Sequence, residues 1–392
     1  MSRNHGVNPA LLGVGSRSVL EVATSQEVGV SNSHFGSGDV FRPEFEIDLA
    51  TIKQFMGSRG IQIAGSLSAG VHGALSLFDV TAGAYTGVDG VVSAGLPGSL
   101  FTVLSEGNII DETYSDSRPI VARVFAEAGA VAGLRLQSWQ FGLGAALYAP
   151  VLYTGSDAGV GYLFTTDTEA GTASLTGSFS APSYSSFDVT GSSLGSGGNL
   201  LARLDGIKLD VGVVHLSEEE PHFGVNVGGI PIRPATATRE IDLAADASLT
   251  IENPLGRSDG GDISDAFATE FSDFEPSVTD DAAHPVSYPL HFGGFYRLTA
   301  IPPIALTGHS QFYLADPFLM ELGVFLEGRS FPLNLFSLGL GYDRVAWEAT
   351  FGMGFDVRIV EMGFALGVAS PQFGGLFRGA GLHGELYAAL GF

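Results

Sequence analysis

Residues 191–195 are the segment whose residue types match a catalytic motif. They read Gly-Ser-Ser-Leu-Gly, the G-x-S-x-G pattern of a serine nucleophile, which requires a strand before it and a helix after it. The segment lies instead in the serine- and glycine-rich stretch 182–199, which predicts a flexible connection. The chain has no cysteine, no P-loop and no H-E-x-x-H motif, and its nine histidines show no ligand spacing. The sequence therefore predicts no enzyme, no metal site and no cofactor.

Ionisable side chains within apolar segments are the other possible source of chemistry. In 317–329, 344–355 and 358–369, large apolar residues alternate with small residues and single charges. A basic residue facing lipid costs about 2–4 kcal/mol at the middle of a membrane, so in a membrane barrel these charges belong in the lumen. These charged side chains either line a substrate path, or they belong to structural networks in the lumen or lie at strand ends in water. The candidates are Arg297, His309, Glu321, Glu327, Arg329, Glu348, Glu361, His383 and Glu385.

The composition of the chain limits which secondary-structure elements can position these residues. Glycine occupies 55 of 392 positions and charged residues only 15%, while the mean hydropathy is +0.26, so the chain is too apolar to stay disordered. The net charge of −24 excludes nucleic acid as a partner, because phosphate backbones require basic surfaces. Apolar runs are shorter than the roughly 18 residues of a transmembrane helix. The first residues lack a signal-peptide core, so we expect any leader to have been removed.

A period of two runs through the C-terminal third and predicts strands. In 344–355, for example, Trp347, Phe351 and Met353 share one face, while Glu348 and Gly352 share the other. Such segments exceed the roughly 5–6 residues of an ordinary strand and have the length of a tilted membrane-spanning one. A soluble β-sandwich is the alternative, but it explains neither the strand length nor the scarcity of charge. The sequence therefore predicts an all-β fold, a transmembrane antiparallel β-barrel.

The organisation along the chain predicts about 14 strands, or 16 if every candidate segment is counted, because such barrels have even numbers of strands. Residues 1–60 are assigned to an N-terminal hatch, residues 61–392 to the barrel, and short helices to 49–57 and 96–107. The candidate strands are 61–72, 74–87, 119–134, 138–151, 158–166, 172–181, 207–217, 222–230, 239–252, 286–299, 303–315, 317–329, 333–342, 344–355, 357–369 and 380–392.

The chain's longest acidic stretch and its C-terminus set the predicted topology. With Phe392 in the periplasm, counting strands back places the acidic segment 253–285 outside the cell, where long loops of such barrels lie. Calcium capture by this loop is conceivable, but its acidic spacing does not match an EF-hand, so we predict a solvated loop. The apolar strand 380–392, ending in Phe392, resembles the assembly signal of bacterial outer-membrane barrels. That resemblance implies contact with the barrel assembly machinery.

Several phrases resemble FadL-like outer-membrane barrels, the long-chain fatty-acid transporter fold, including PorV-type and uncharacterised relatives. They are Asn8-Pro9-Ala10-Leu11-Leu12, Leu96-Pro97 with Glu106-Gly107-Asn108, and the segments 204–213 and 222–230. The resemblance implies a monomeric barrel of about fourteen strands whose N-terminal segment, here Asn8, Pro9 and Ala10, closes the lumen as a hatch. It also implies passage of hydrophobic small molecules.

The resulting expectation is a bacterial outer-membrane channel for uptake of hydrophobic, fatty-acid-like molecules through a hatch-closed lumen. Membrane lipid, a hydrophobic ligand and the assembly machinery are the expected partners, and the protein is expected to be a monomer. A non-transporting structural barrel or partner-binding scaffold is the alternative, and a simple diffusion pore is a third possibility. An enzyme is the least favoured.

Overall fold

The computed structural model describes residues 8–12, 19–35, 60–106, 112–167, 169, 171–187, 201–217, 220–252, 267–271, 277–301, 304–330, 334–357 and 359–391. Most of these residues belong to strands joined in one sheet. The strands are β1 (Leu20–Asn32), β2 (Ile61–Leu77), β3 (Val80–Leu96), β4 (Thr113–Pro119), β5 (Val121–Leu136), β6 (Trp139–Thr154), β7 (Gly159–Asp167), β8 (Thr172–Ser185), β9 (Gly206–Ser217), β10 (Glu220–Arg233), β11 (Ala235–Glu252), β12 (Phe267–Phe271), β13 (Ser277–Val286), β14 (Leu290–Ile301), β15 (Ile304–Leu314), β16 (Leu319–Ser330), β17 (Asn334–Asp343), β18 (Ala346–Val357), β19 (Val360–Ser370) and β20 (Gly381–Gly391).

Fourteen of the strands close into an antiparallel barrel. Around the ring the order is β1, β2, β3, β5, β6, β9, β10 and then β14 to β20, and β20 pairs with β1 to complete it. The predicted fold class is confirmed, with 14 strands rather than 16. One end, here called the turn end, carries short turns such as 78–79 and 137–138, and there β1 begins and β20 ends. The opposite end, the loop end, carries the long connections.

Side-chain exposure alternates along the barrel strands as lipid contact requires. On β19 and β20, Leu366 and Leu382 are 63% and 73% exposed, whereas Ala365 and His383 between such positions are 8% and 4% exposed. Bulky apolar side chains therefore cover the outside, and glycine, alanine and polar residues face the lumen. This arrangement opposes that of a sandwich, in which the bulky face would be buried between sheets. Within the described part of the chain, helices long and apolar enough to cross a membrane are not found.

A smaller strand assembly extends the barrel at its loop end. It consists of β4, β7, β8, β11, β12 and β13, paired in the order β4–β7–β8–β11, with β11 also pairing with β12 and β13. These strands come from the three connections that follow β3, β6 and β10. The helix α1 (Gly98–Glu106) begins the first of these connections and confirms the helix predicted at 96–107, although Leu96 still belongs to β3.

The barrel begins earlier than the domain boundary predicted at residue 60. Residues 20–32 form β1, which pairs with both β2 and β20. Thr24 and Gln26 lie on its outward face and interrupt the apolar pattern that would have revealed this strand. The turn predicted near residue 73 is also misplaced, because β2 continues through Gly73 to Leu77 and the chain reverses at 78–79.

The segment 253–285 is not a continuous loop, because β12 and most of β13 lie within it and pair with β11. Its acidic residues concealed the strand pattern. Likewise, 182–185, assigned to a flexible connection, belong to β8. The predicted helix 49–57, the motif at 191–195 and Phe392 lie outside the described residues.

Candidate functional site

A short N-terminal segment, residues 8–12, lies buried in the lumen against β5, β6 and β9 near the turn end. Asn8 caps its single 3₁₀ turn, since its Oδ1 accepts a hydrogen bond of 3.0 Å from the Ala10 N–H. The side chain of Asn8 also donates to the Val225 carbonyl at 3.4 Å. On the opposite side, Gln140 Nε2 donates to the Leu12 carbonyl at 2.7 Å. The segment is therefore held from both sides by side-chain hydrogen bonds to backbone carbonyls.

Two glycines on the inward faces of β6 and β9 allow this segment to lie against the wall. A Cβ added at Gly142 would be 2.1 Å from the Ala10 nitrogen, and one at Gly212 would be 2.0 Å from Asn8 Oδ1. Both distances are far shorter than non-bonded atoms tolerate. Two positions further along β6, a Cβ at Gly144 would meet its nearest atom at 3.5 Å, an ordinary contact. On β6 the close approach therefore occurs at Gly142, which faces residues 8–12, and not at Gly144.

Nearer the loop end, an aromatic cluster formed by Phe125, Tyr148, Tyr153 and Tyr288 packs in the lumen. The ring centroids of Phe125 and Tyr288 are 4.8 Å apart, and those of Tyr148 and Tyr288 are 5.3 Å apart in an edge-on arrangement. Tyr148 is fully buried, and its hydroxyl donates to the Val286 carbonyl at 3.2 Å and accepts from the Tyr288 N–H at 3.1 Å. These hydrogen bonds fix the orientation of the rings, which pack into an apolar cluster.

A buried ion cluster lies beside the aromatic cluster. Lys208 Nζ is 2.6 Å from Glu127 Oε2 and 3.8 Å from Asp210 Oδ2, and its side chain is 1% exposed. The same Nζ lies 3.9 Å from the centre of the Tyr288 ring, within range of a cation–π interaction. Asp210 in turn accepts a 2.7 Å hydrogen bond from the Gly229 N–H. This cluster links β5, β9 and β10 and joins them to the aromatic ring above it.

Two loop-end turns fold inward and reach across the lumen. Arg344, in the turn between β17 and β18, places Nη1 2.7 Å from Asp89 Oδ2 on β3. Four strands (β19, β20, β1 and β2) separate β18 from β3, so the path along the wall is roughly 25 Å. Arg123 on β5 similarly donates to the carbonyl of Asp316 in the turn between β15 and β16. We call the turn at 343–346, with its contact to Asp89, the strap.

Sequence comparisons do not assign the chain to a family: no family model and no curated protein matches it. Solved structures with similar architecture include a TodX deltaS2S3 mutant monoaromatic hydrocarbon channel, 9% identical with a TM-score of 0.45 over 100% of this chain and 95% of that one. The Ralstonia pickettii toluene transporter TbuX is 11% identical, with a TM-score of 0.44 over 99% and 92%. The Pseudomonas putida toluene transporter TodX is 8% identical, with a TM-score of 0.39 over 99% and 92%. Similarities this low carry no functional inference for this chain.

The nine ionisable residues predicted to face the lumen do not form one site. Arg297 is buried, with Nη2 3.4 Å from a Glu220 carboxylate oxygen near the turn end. His309 stacks on Phe325, with ring centroids 5.3 Å apart. Glu321 lies near the strap, where its Oε1 is 3.2 Å from Arg344 Nε.

The other predicted residues separate into a cluster and isolated positions. Glu348 and His383 lie together, with His383 Nδ1 3.1 Å from Glu348 Oε1. Glu385 is buried on the same strand as His383. The remaining two described side chains, Glu327 and Glu361, are half-buried on β16 and β19, whereas the side chain of Arg329 lies outside the described residues.

Sequence reasoning missed the residues that tie the lumen together. Lys208 stands in β9, where Ile207, Leu209 and Val211 alternate with Lys208, Asp210 and Gly212. The sequence signal was therefore a lysine on the face opposite the bulky apolar one. Arg344 gave no such signal, because a charged residue in a tight turn normally lies in solvent. Its inward position follows from barrel closure, which brings β3 opposite the β17–β18 turn.

Proposed function

We propose that this chain is a channel of a bacterial outer membrane for uptake of hydrophobic small molecules, with residues 8–12 acting as a hatch. The observation that carries the proposal is a short N-terminal segment, hydrogen-bonded to β6 and β10 inside a closed lumen, beneath an aromatic cluster. A water-filled pore needs neither feature. The aromatic cluster is an apolar part of the lumen beside which a solute would leave water, and the hatch keeps ions from following it. Fatty-acid-like solutes are the finer proposal, which rests on the sequence resemblance.

The hatch is tested by filling the space that it occupies. Gly142→Ala pushes against the Ala10 nitrogen, so we expect higher single-channel conductance in planar bilayers, as we expect from deletion of residues 1–12. Gly144→Ala adds the same methyl group on the same face without a close contact and should leave conductance at the wild-type level. Equal conductance of the Gly142→Ala variant, the deletion variant and the wild type would reject the hatch.

The solute class is tested separately in cells. N-phenyl-1-naphthylamine is an apolar dye that fluoresces on leaving water, and an intact outer membrane admits it slowly. Expression of the protein should accelerate its uptake over cells with the empty vector, whereas uptake of a polar sugar of similar size should not change. Faster sugar uptake would instead identify a diffusion pore.

The scaffold alternative has one observation in its favour, the strand assembly at the loop end. Six strands project there beyond the barrel, and they display acidic side chains such as Asp116 and Asp280. A scaffold should retain a specific protein partner through this assembly and should give no dye uptake. Removing 253–266, which connects β11 to β12, should then abolish retention of the partner while the barrel stays folded.

A further inference from the structure

One wall of the lumen is acidic and lacks basic residues. The six neighbouring strands β17, β18, β19, β20, β1 and β2 contain no lysine or arginine within their bounds. The basic residues Arg123, Lys208 and Arg297 lie on β5, β9 and β14, the opposite part of the ring. The acidic wall carries, at positions alternating with the exposed ones, Glu21, Glu27, Asp343, Glu348, Asp356, Glu361 and Glu385. Arg344, in the turn that follows β17, pairs with Asp343, and the strands themselves supply no lysine or arginine.

Two acidic side chains are opposed at the seam where the barrel closes. Glu27 on β1 and Glu385 on β20 are direct partners in the strand register, on the inward face. Like charges at directly opposed positions of an antiparallel pair destabilise it. A cation held at this seam would convert the repulsion into attraction.

Three ligand-type side chains converge at the same place. Glu27, Glu348 and His383, from β1, β18 and β20, each present one ligand atom within 4.8 Å of the others. His383 is 4% exposed, and its Nδ1 is 3.1 Å from Glu348 Oε1. Gly29 lies next to His383 and Glu348 and has no side chain. A Cβ at this position would be 3.5 Å from His383 Nδ1 and 3.6 Å from Glu348 Oε1.

Open space adjoins this triad. A small open pocket is lined by Gly29, Ser31, Ser66 and Glu348, among others. It leaves room beside Glu348 for a water molecule, which would complete the coordination of an ion held by three protein ligands. Three protein donors and room for a water ligand therefore coincide on an acidic wall of the lumen.

We propose that Glu27, Glu348 and His383 bind a divalent transition-metal ion of the Zn²⁺ type across the seam between the first and last strands. One imidazole and two carboxylates form a donor set that suits Zn²⁺, whereas Ca²⁺ and Mg²⁺ prefer oxygen ligands alone. Because β1 and β20 close the barrel, the ion acts as a fastener of the closed ring. This proposal is independent of what the channel transports.

The test uses the full-length, tag-free barrel in detergent, freed of metal with a chelator. Titration with Zn²⁺ should give one site per chain, and Co²⁺ should give the visible absorption of a low-symmetry complex. Zn²⁺ should also raise the melting temperature, increasingly so as its concentration exceeds the Kd. Ca²⁺ at the same concentration should do neither.

Variants distinguish the triad from other acidic groups. His383→Gln should weaken Zn²⁺ binding by more than roughly 10–100-fold, which is the loss of affinity expected when a residue that only hydrogen-bonds a metal ligand is replaced. His72→Gln is the matched control, because His72 is also a lumen histidine beside a glutamate, with Nε2 3.7 Å from Glu21 Oε1. It should bind Zn²⁺ as the wild type does.

Two further results bear on the proposal. If His383→Gln fails to give a heat-modifiable, folded barrel, Glu348→Gln provides the same comparison with a smaller change of shape. Equal Zn²⁺ affinity in the wild type and in the folded triad variant would overturn the proposal. The proposal would also be overturned if, in the wild type, Co²⁺ gave no absorption band and Zn²⁺ left the melting temperature unchanged. His383 and Glu348 would then form only an ion pair.

Discussion

The strap gives the sharpest prediction, because a single cation holds three carboxylates. Arg344 Nε is 2.9 Å from Asp343 Oδ1 and 3.2 Å from Glu321 Oε1, in addition to the contact with Asp89. Arg344→Gln would leave these acids facing one another. Removing one partner of a buried ion pair costs about 3–5 kcal/mol. The Asp89 side chain is 38% exposed and partly screened by water, so we expect a loss of about 2–3 kcal/mol.

An exposed ion pair on the same molecule calibrates this figure. Arg239 and Asp280 are 2.9 Å apart, but their side chains are 24% and 64% exposed, so Arg239→Gln should cost only about 0–1 kcal/mol. Urea unfolding in lipid vesicles, followed by tryptophan fluorescence, measures both free energies of unfolding. Trp347 on β18 lies next to the strap and reports on it directly.

The strap also predicts a change in permeability. If its contact with Asp89 narrows the loop end, Arg344→Gln should increase the frequency of open events in planar bilayers. Asp89→Asn should do the same with a smaller loss of stability, since Arg344 keeps its other two carboxylates. An Arg344→Gln protein that is no less stable than Arg239→Gln and conducts as the wild type does would refute this reasoning.

Two further predictions concern buried charge. Lys208→Met should lower the free energy of unfolding by about 3–5 kcal/mol, because Glu127 and Asp210 lose their cation. The double variant Lys208→Met/Glu127→Gln should be more stable than Lys208→Met alone. A double variant that urea titration shows to be less stable than the single one would contradict this reasoning. The pKa of His34 lies below its ordinary value of 6.5 because burial, and then the positive charge of Arg378, disfavour its protonation. Stability should therefore be complete above pH 6.5 and fall as the pH drops through the folded-state pKa, and melting curves of His34→Gln should lose that part of the pH dependence.

How far the sequence could predict this molecule depends on the kind of interaction. Alternation along β16, β18, β19 and β20 is a local property, so the sequence alone predicts the strand length and which residues share a face. β1 escaped because Thr24 and Gln26 stand on its lipid-facing side, and β13 escaped because its polar residues obscured the period. In both cases pairing with neighbouring strands, which sequence alone does not contain, overrides a weak local pattern.

The lumen contacts lie beyond such reasoning for a geometric reason. Glu27 and His383 are more than three hundred positions apart in sequence, and only closure of the ring makes them neighbours. Arg344 and Asp89 meet because the ring is narrow enough for one side chain in a turn to reach the opposite wall. A barrel with more strands would keep the same alternation along every strand but would carry the β17–β18 turn out of reach of Asp89, whereas Glu27 and His383, on adjacent strands, would stay neighbours. The strand number therefore decides whether inward charges on distant strands can meet across the lumen.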